Sequence, residues 1–107
     1  MPTHTLKTWP PHFTAIWDGI KRAELRRDDR GYAVGDVLRL HEWDPTMYEW
    51  AINDGSTDRA ATAFAYSGRT VIARITHIVA NGPWLAEGYV MLSIETVERR
   101  DYGHERQ

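Results

Sequence analysis

The sequence predicts an α+β fold, a small curled β-sheet or β-barrel of five to six short strands with one early α-helix. Three observations predict it. Trp9, Phe13, Ile16, Trp17 and Ile20 recur at spacings that draw one apolar stripe along a helix. Later runs rich in Val, Ile, Thr and Tyr are bounded by Gly, Pro and Asn clusters, the signature of strands and turns. A chain of 107 residues fits one core, and closing a short sheet on itself removes its exposed edges.

Thr3 to Thr8 reads as the first strand, stopped by Trp9-Pro10-Pro11. Proline is tolerated in a first helical turn because its missing N–H would be unpaired there, so a helix follows over about residues 10 to 18. Gly19 is its stop, since glycine accepts the left-handed conformation just past a helix end. Ile20 to Arg27 reads as a strand running into the turn Asp28-Asp29-Arg30-Gly31, and Val34-Gly35-Asp36 opens the strand Val37 to Trp43, closed by Asp44-Pro45. Residues 46 to 68 read as an elaborated hairpin or flexible excursion around the turn Asn53-Asp54-Gly55-Ser56, with Ala60 to Ala65 open between helix, strand and loop. Thr70 to Val79 is the densest β-branched run, ended by Asn81-Gly82-Pro83. Gly88 to Val97 is the last strand of a domain spanning residues 1–98, and residues 99–107 read as a frayed polar tail.

The formal charge of -2 argues against a strongly basic, non-specific DNA binder. Its distribution is uneven: residues 1–40 hold seven Lys/Arg against five Asp/Glu, and residues 41–107 hold six against ten. An anionic ligand is therefore expected on the N-terminal part. The absence of Cys excludes disulfides, thiolate nucleophiles and zinc-thiolate sites. No apolar run approaches the roughly 20 residues of a membrane span, and Met1 to Pro11 lacks the apolar stretch of a signal peptide, so a cytoplasmic location and no membrane partner are expected.

Residues two apart on a strand share a face, which sets Glu24 and Arg26 side by side while Ala23, Leu25 and Arg27 face the other way. Lys21 stands at the helix-to-strand junction, where Gly19 lets the backbone turn sharply. Such cations bind phosphate or polarise a carbonyl, and a carboxylate beside a lysine can move protons. Asp28, Asp29 and Arg30 read first as a turn. Of the five histidines, His4, His12, His41, His77 and His104, none has metal-ligand spacing, and no metal or cofactor is expected. Structural roles are expected for them, with His4 and His77 bonded inside the barrel. Trp9, Phe13 and Trp17 are expected in the core, whereas Trp43, Trp50, Trp84 and Tyr89 fall near strand ends or loops, where an aromatic can stack on a base. Walker, dinucleotide-binding and nucleophile-elbow motifs are absent.

The runs Gly19-x-Lys21-x-x-Glu24-x-Arg26-x-x-Asp29-Arg30 and Val34-Gly35-Asp36-x-Leu38-x-Leu40-x-Glu42-Trp43-Asp44-Pro45 closely resemble the bacterial and phage family called domain of unknown function 3850, a member of the PUA-like group that contains ASCH domains. Tyr66-x-Gly68-Arg69, Ile75-Thr76-His77-Ile78 and Gly88-Tyr89-Val90-x-Leu92-Ser93-Ile94 extend the resemblance over nearly the whole chain. Thr46 to Ala65 departs from it, being longer than the short hairpin expected there. The resemblance implies a small PUA-like, ASCH-type β-barrel with the helix beside a cleft that holds RNA or a nucleotide, and Gly19-x-Lys21-x-x-Glu24 matches the segment that lines it. Lys21 and Arg26 are then expected to engage anionic or carbonyl groups and Glu24 to accept from a base edge, with Lys7, Asp29, Trp43 and Tyr89 as further binding residues. Some small ASCH proteins are amidohydrolases acting on N4-acetylcytidine, with a threonine where Glu24 stands and a further glutamate downstream. In the enzymatic alternative, which includes a ribonuclease, Lys21 and Glu24 are the catalytic pair. A third alternative is a protein-interaction module that engages a partner through residues 46–68.

Overall fold

The structure, a computed structural model, describes residues 2–102. In chain order it comprises β1 (Thr3–Thr8), α1 (Pro10–Trp17), β2 (Ala23–Arg27), β3 (Val37–Trp43), α2 (Pro45–Asn53), α3 (Asp58–Phe64), β4 (Tyr66–Val79) and β5 (Tyr89–Asp101). All five strands form one sheet in the order β1-β3-β4-β5-β2, with β1 parallel to β3 and the other pairs antiparallel. The sheet curls into a half-barrel whose edge strands are β1 and β2. These edges share no backbone ladder. Side chains join them instead: Arg26 on β2 donates to the carbonyl of Lys7, and Arg30 just beyond β2 donates to the carbonyl of Thr5. Closure is thus made by two arginines where strand pairing was expected.

Four of the five strands are apolar on their concave face, and β2 buries Glu24 there instead. Leu6, Leu38, Leu40, Val71, Ala73, Ile75, Val90, Leu92 and Ile94 are buried there, and Phe13 and Ile16 of α1 fill the bowl. The helical stripe holds only while the chain is helical. Trp9 precedes the first turn and Ile20 follows the last, so they leave the stripe and are 56% and 80% exposed, and the expectation of a core Trp9 is corrected.

Two further helices occupy the stretch expected to be a hairpin or excursion. Asp44 caps α2 by accepting from Thr46 N–H, Pro45 opens it, and Thr57 caps α3 by accepting from Ala60 N–H. Gly55, at φ 97°, turns the chain between them. The indole of Trp43 donates to the carbonyl of Thr62 at 3.1 Å and ties this pair to the sheet. β5 also runs further than expected: Arg99 to Asp101 pair with Arg69 to Val71 of β4 and are strand, not tail. His77 is exposed on the outer face, not bonded within the barrel. Residues 103–107 of the expected tail, with His104, lie outside the described residues. Among the described residues no helix is long and apolar enough to cross a membrane.

Candidate functional site

α1 ends on Asp18 and Gly19, and Gly19 takes φ 77°, a left-handed conformation open to glycine. The N–H groups of Ile20 and Lys21 both return to the carbonyl of Ala15, wrapping the chain tightly round the helix end. This wrap delivers Lys21 to the rim of the bowl. β2 then pairs with β5, with Glu24 opposite Leu92, so strand parity places the Glu24 carboxylate at the margin of the core, 3% exposed.

A buried carboxylate needs partners. Lys21 Nζ donates to Glu24 Oε1 at 3.0 Å and Arg26 Nε to Oε2 at 2.9 Å, so each oxygen meets a cation. The Arg26 guanidinium continues across the gap, and its Nη2 lies 3.1 Å from both the Lys7 carbonyl and Thr8 Oγ1. Thr8 is itself 3% exposed. Lys21 and Arg26 remain partly open to solvent while the carboxylate between them is not. Above them lies a cleft of about 300 Å³ between the end of β1, the start of α1 and β2. Lys21, Glu24 and Arg26 form its charged floor, and Lys7, Trp9 and His12 form its wall. An exposed indole bordering the same cleft as two cations can contribute to holding a flat, polar molecule.

The structure brings four of the expected site residues together, Lys7, Lys21, Glu24 and Arg26, and leaves three apart. Trp43 does not line the cleft; it touches it indirectly, through the Lys7 ammonium 4.5 Å from its ring. Tyr89 pairs with Arg27 on the opposite face of β2, in an apolar hollow with Leu25, Trp84 and Met91. Asp29 is exposed in the turn after β2, beside Arg30. Thr8, Trp9 and His12 line the cleft and were not expected here. Pro10-Pro11 located the helix start, but no spacing rule shows that this start flanks a strand twelve or more residues away.

Other charged groups hold the frame. His4 Nε2 lies 2.8 Å from Asp36 Oδ2, which also accepts from Ala33 N–H, and the hydrogen bond to His4 chiefly holds the Asp36 carboxyl below its ordinary value. Glu42 receives two hydrogen bonds from Arg69 at 3.0 Å, which push Arg69 further up. That guanidinium also lies over the rings of Phe13 and Trp17, clamping α1 to β3 and β4. Burial, and secondly the charge of Arg39, lower the His41 imidazole, whose Nδ1 is 2.9 Å from Thr70 Oγ1. Among the described residues no group of three or more His, Asp or Glu side chains is placed to hold a metal ion.

Comparison with known proteins agrees with this geometry in extent. The profile of the family described as "Domain of unknown function (DUF3850)" matches residues 3–94, from β1 into β5 and so across the entire cleft. A protein of Escherichia phage P2, "Uncharacterized 12.9 kDa protein in GpA 3'region", is 36% identical over 89 residues. The aligned stretch covers 83% of this chain and 64% of the phage protein.

Proposed function

The chain belongs to the family described as "Domain of unknown function (DUF3850)"; since that description assigns no chemistry, the site has to supply it, and we propose that the cleft beside α1 binds a nucleotide or an RNA base. The observation that carries this reading is Glu24, buried between Lys21 and Arg26 on the floor of a cleft whose wall is the exposed indole of Trp9. Trp9 stacks on the base. Lys21 and Arg26 meet phosphate or carbonyl oxygens, and Glu24, buried between them, holds both cations toward the cleft. The curled sheet with its helix beside the cleft supports a PUA-like, ASCH-type placement of the fold.

Binding is favoured over hydrolysis because both Glu24 oxygens already accept from cations, which makes the carboxylate a brace for Lys21 and Arg26 before it is a free base. Release of cytidine from N4-acetylcytidine by the purified protein would reverse that preference. The test of the binding reading is calorimetric titration with nucleoside monophosphates. Lys21→Ala and Trp9→Ala are expected to weaken binding at least tenfold; titrations that show no heat with any of the four nucleotides, or wild-type affinity in both variants, reject the reading.

A further inference from the structure

Three hollows meet along β1. The cleft shares Lys7 and Arg26 with a second hollow that also touches Arg30 and Tyr66. The second shares Thr5 and Tyr66 with a third, of about 400 Å³, walled by Arg39, His41, Thr70 and Arg100. Strand alternation makes the passage, because Leu6 and Thr8 point into the core while Thr5 and Lys7 face outward. Sheet register then sets Lys7, His41, Thr70 and Arg100 in one row across β1, β3, β4 and β5. At about 4.8 Å per strand the row is about 14 Å long, so no single phosphate group reaches both ends.

The path is basic on a chain of net charge -2. Lys21, Arg26, Lys7, Arg30, Arg39 and Arg100 border it in turn. Glu24 is the one carboxylate among the described residues that lines any of the three hollows, and its oxygens are taken by Lys21 and Arg26. Asp29 and Glu98 stand beside Arg30 and Arg100, outside the lining. Arg39 is exposed and has no ion-pair partner among the described residues. Aromatic rings interleave with these cations: Trp9 at the cleft, Tyr66 between the second and third hollows, and Tyr102 at the far end. An acidic peptide satisfies the cations alone, whereas a single-stranded nucleic acid presents an anion and a flat face at every residue.

We propose that the cleft is one end of a groove that passes over β1 onto the outer face of the sheet and holds several consecutive nucleotides of a single strand, with Arg39 and Arg100 on its phosphates. This rests on the nucleotide-binding reading of the cleft and names its substrate as a polymer. Ribose and deoxyribose strands share the chemistry, and the test separates them.

The experiment compares uridine monophosphate, by calorimetry, with fluorescent uridine and deoxythymidine hexanucleotides, by anisotropy, over a range of salt. A hexanucleotide is expected to bind more tightly than the monophosphate, and whichever sugar binds tighter identifies the strand. Arg39→Ala/Arg100→Ala is expected to weaken the hexanucleotide, lower the slope of log affinity against log salt by about 1.4, roughly 0.7 per phosphate contact on a single strand, and leave the monophosphate unchanged. Arg39→Ala alone, at an exposed side chain, is expected to remove about half of that slope and serves if the double variant is unstable. Monophosphate binding that depends on Lys21 but does not strengthen with length overturns the groove and leaves the cleft reading standing. Displacement of the hexanucleotide by polyglutamate at equal charge assigns the groove to an acidic protein and also overturns it. Failure of both the monophosphate and the hexanucleotides to bind rejects the cleft reading itself, and the groove with it.

Discussion

Arg26 Nη2, on one edge strand of the sheet, donates to the backbone carbonyl of Lys7 on the other edge strand at 3.1 Å. The same guanidinium grips Glu24 through Nε, so one side chain closes the half-barrel and orders the floor of the cleft. Structure and candidate function therefore share a residue, and substitutions here have to separate the two.

Arg26→Ala removes contacts to Glu24, Lys7 and Thr8 together and leaves a buried carboxylate with Lys21 alone. Hydrogen bonds to charged groups contribute about 1.5–3 kcal/mol each at most, and Arg26 is partly exposed, so a loss of about 2–3 kcal/mol is expected. Thermal melting followed by circular dichroism checks it. Arg26→Lys is expected to recover less than half of the loss, because one ammonium cannot reach both Glu24 and β1.

Lys21→Ala separates binding from stability. The Lys21 side chain is about one-third exposed, so water can replace its ammonium beside the buried Glu24 Oε1; a loss of about 1 kcal/mol, smaller than in Arg26→Ala, is expected while nucleotide affinity falls. Glu24→Gln behaves differently. It removes the charge that Lys21 and Arg26 share, and because Glu24 is buried, a stability loss of about 1–3 kcal/mol accompanies the loss of binding. A Lys21→Ala variant that melts as low as Glu24→Gln would show that Lys21 is structural.

Stability should fall in acid in two steps. Burial lowers the folded-state value of His41 below its ordinary 6.5, so folding favours the neutral ring; this contribution is complete above pH 6.5 and is lost as pH falls through the lower folded value. Asp36, held below its ordinary 3.8 by His4, stabilises the fold above pH 3.8 and loses that contribution as pH falls through its own folded value. Urea midpoints measured between neutral pH and pH 5 should decline more in the wild type than in His41→Gln. Parallel declines would mean that His41 does not titrate with folding.

Trp43→Phe keeps a ring beneath Lys7 but removes the donor to the Thr62 carbonyl. A loss of about 1 kcal/mol is expected, with faster amide exchange in α3 than in β3. Uniform acceleration across both elements would show that α3 is held to the sheet by other contacts.

The elements whose signals are local were legible from residues alone. β1, α1 and β3 were placed by alternation, by Pro10-Pro11 and by Gly19, and parity on β2 joined Glu24 to Arg26. The caps of α2 and α3 were also local, in Asp44-Pro45 and Thr57, but the turn signal at Asn53 to Ser56 outweighed them in a stretch of mixed composition. What the sequence by itself determined is which residues share a face, because a period of two or 3.6 is a property of the backbone. Which face is concave, which edge strands confront each other, and therefore that Trp9 and His12 join Lys21 while Tyr89 and Asp29 stand away, only the tertiary structure decided. Sheet curl and edge closure arise from contacts between strands distant in the chain, such as Arg26 with Lys7, and periodicity along one strand carries no information about them.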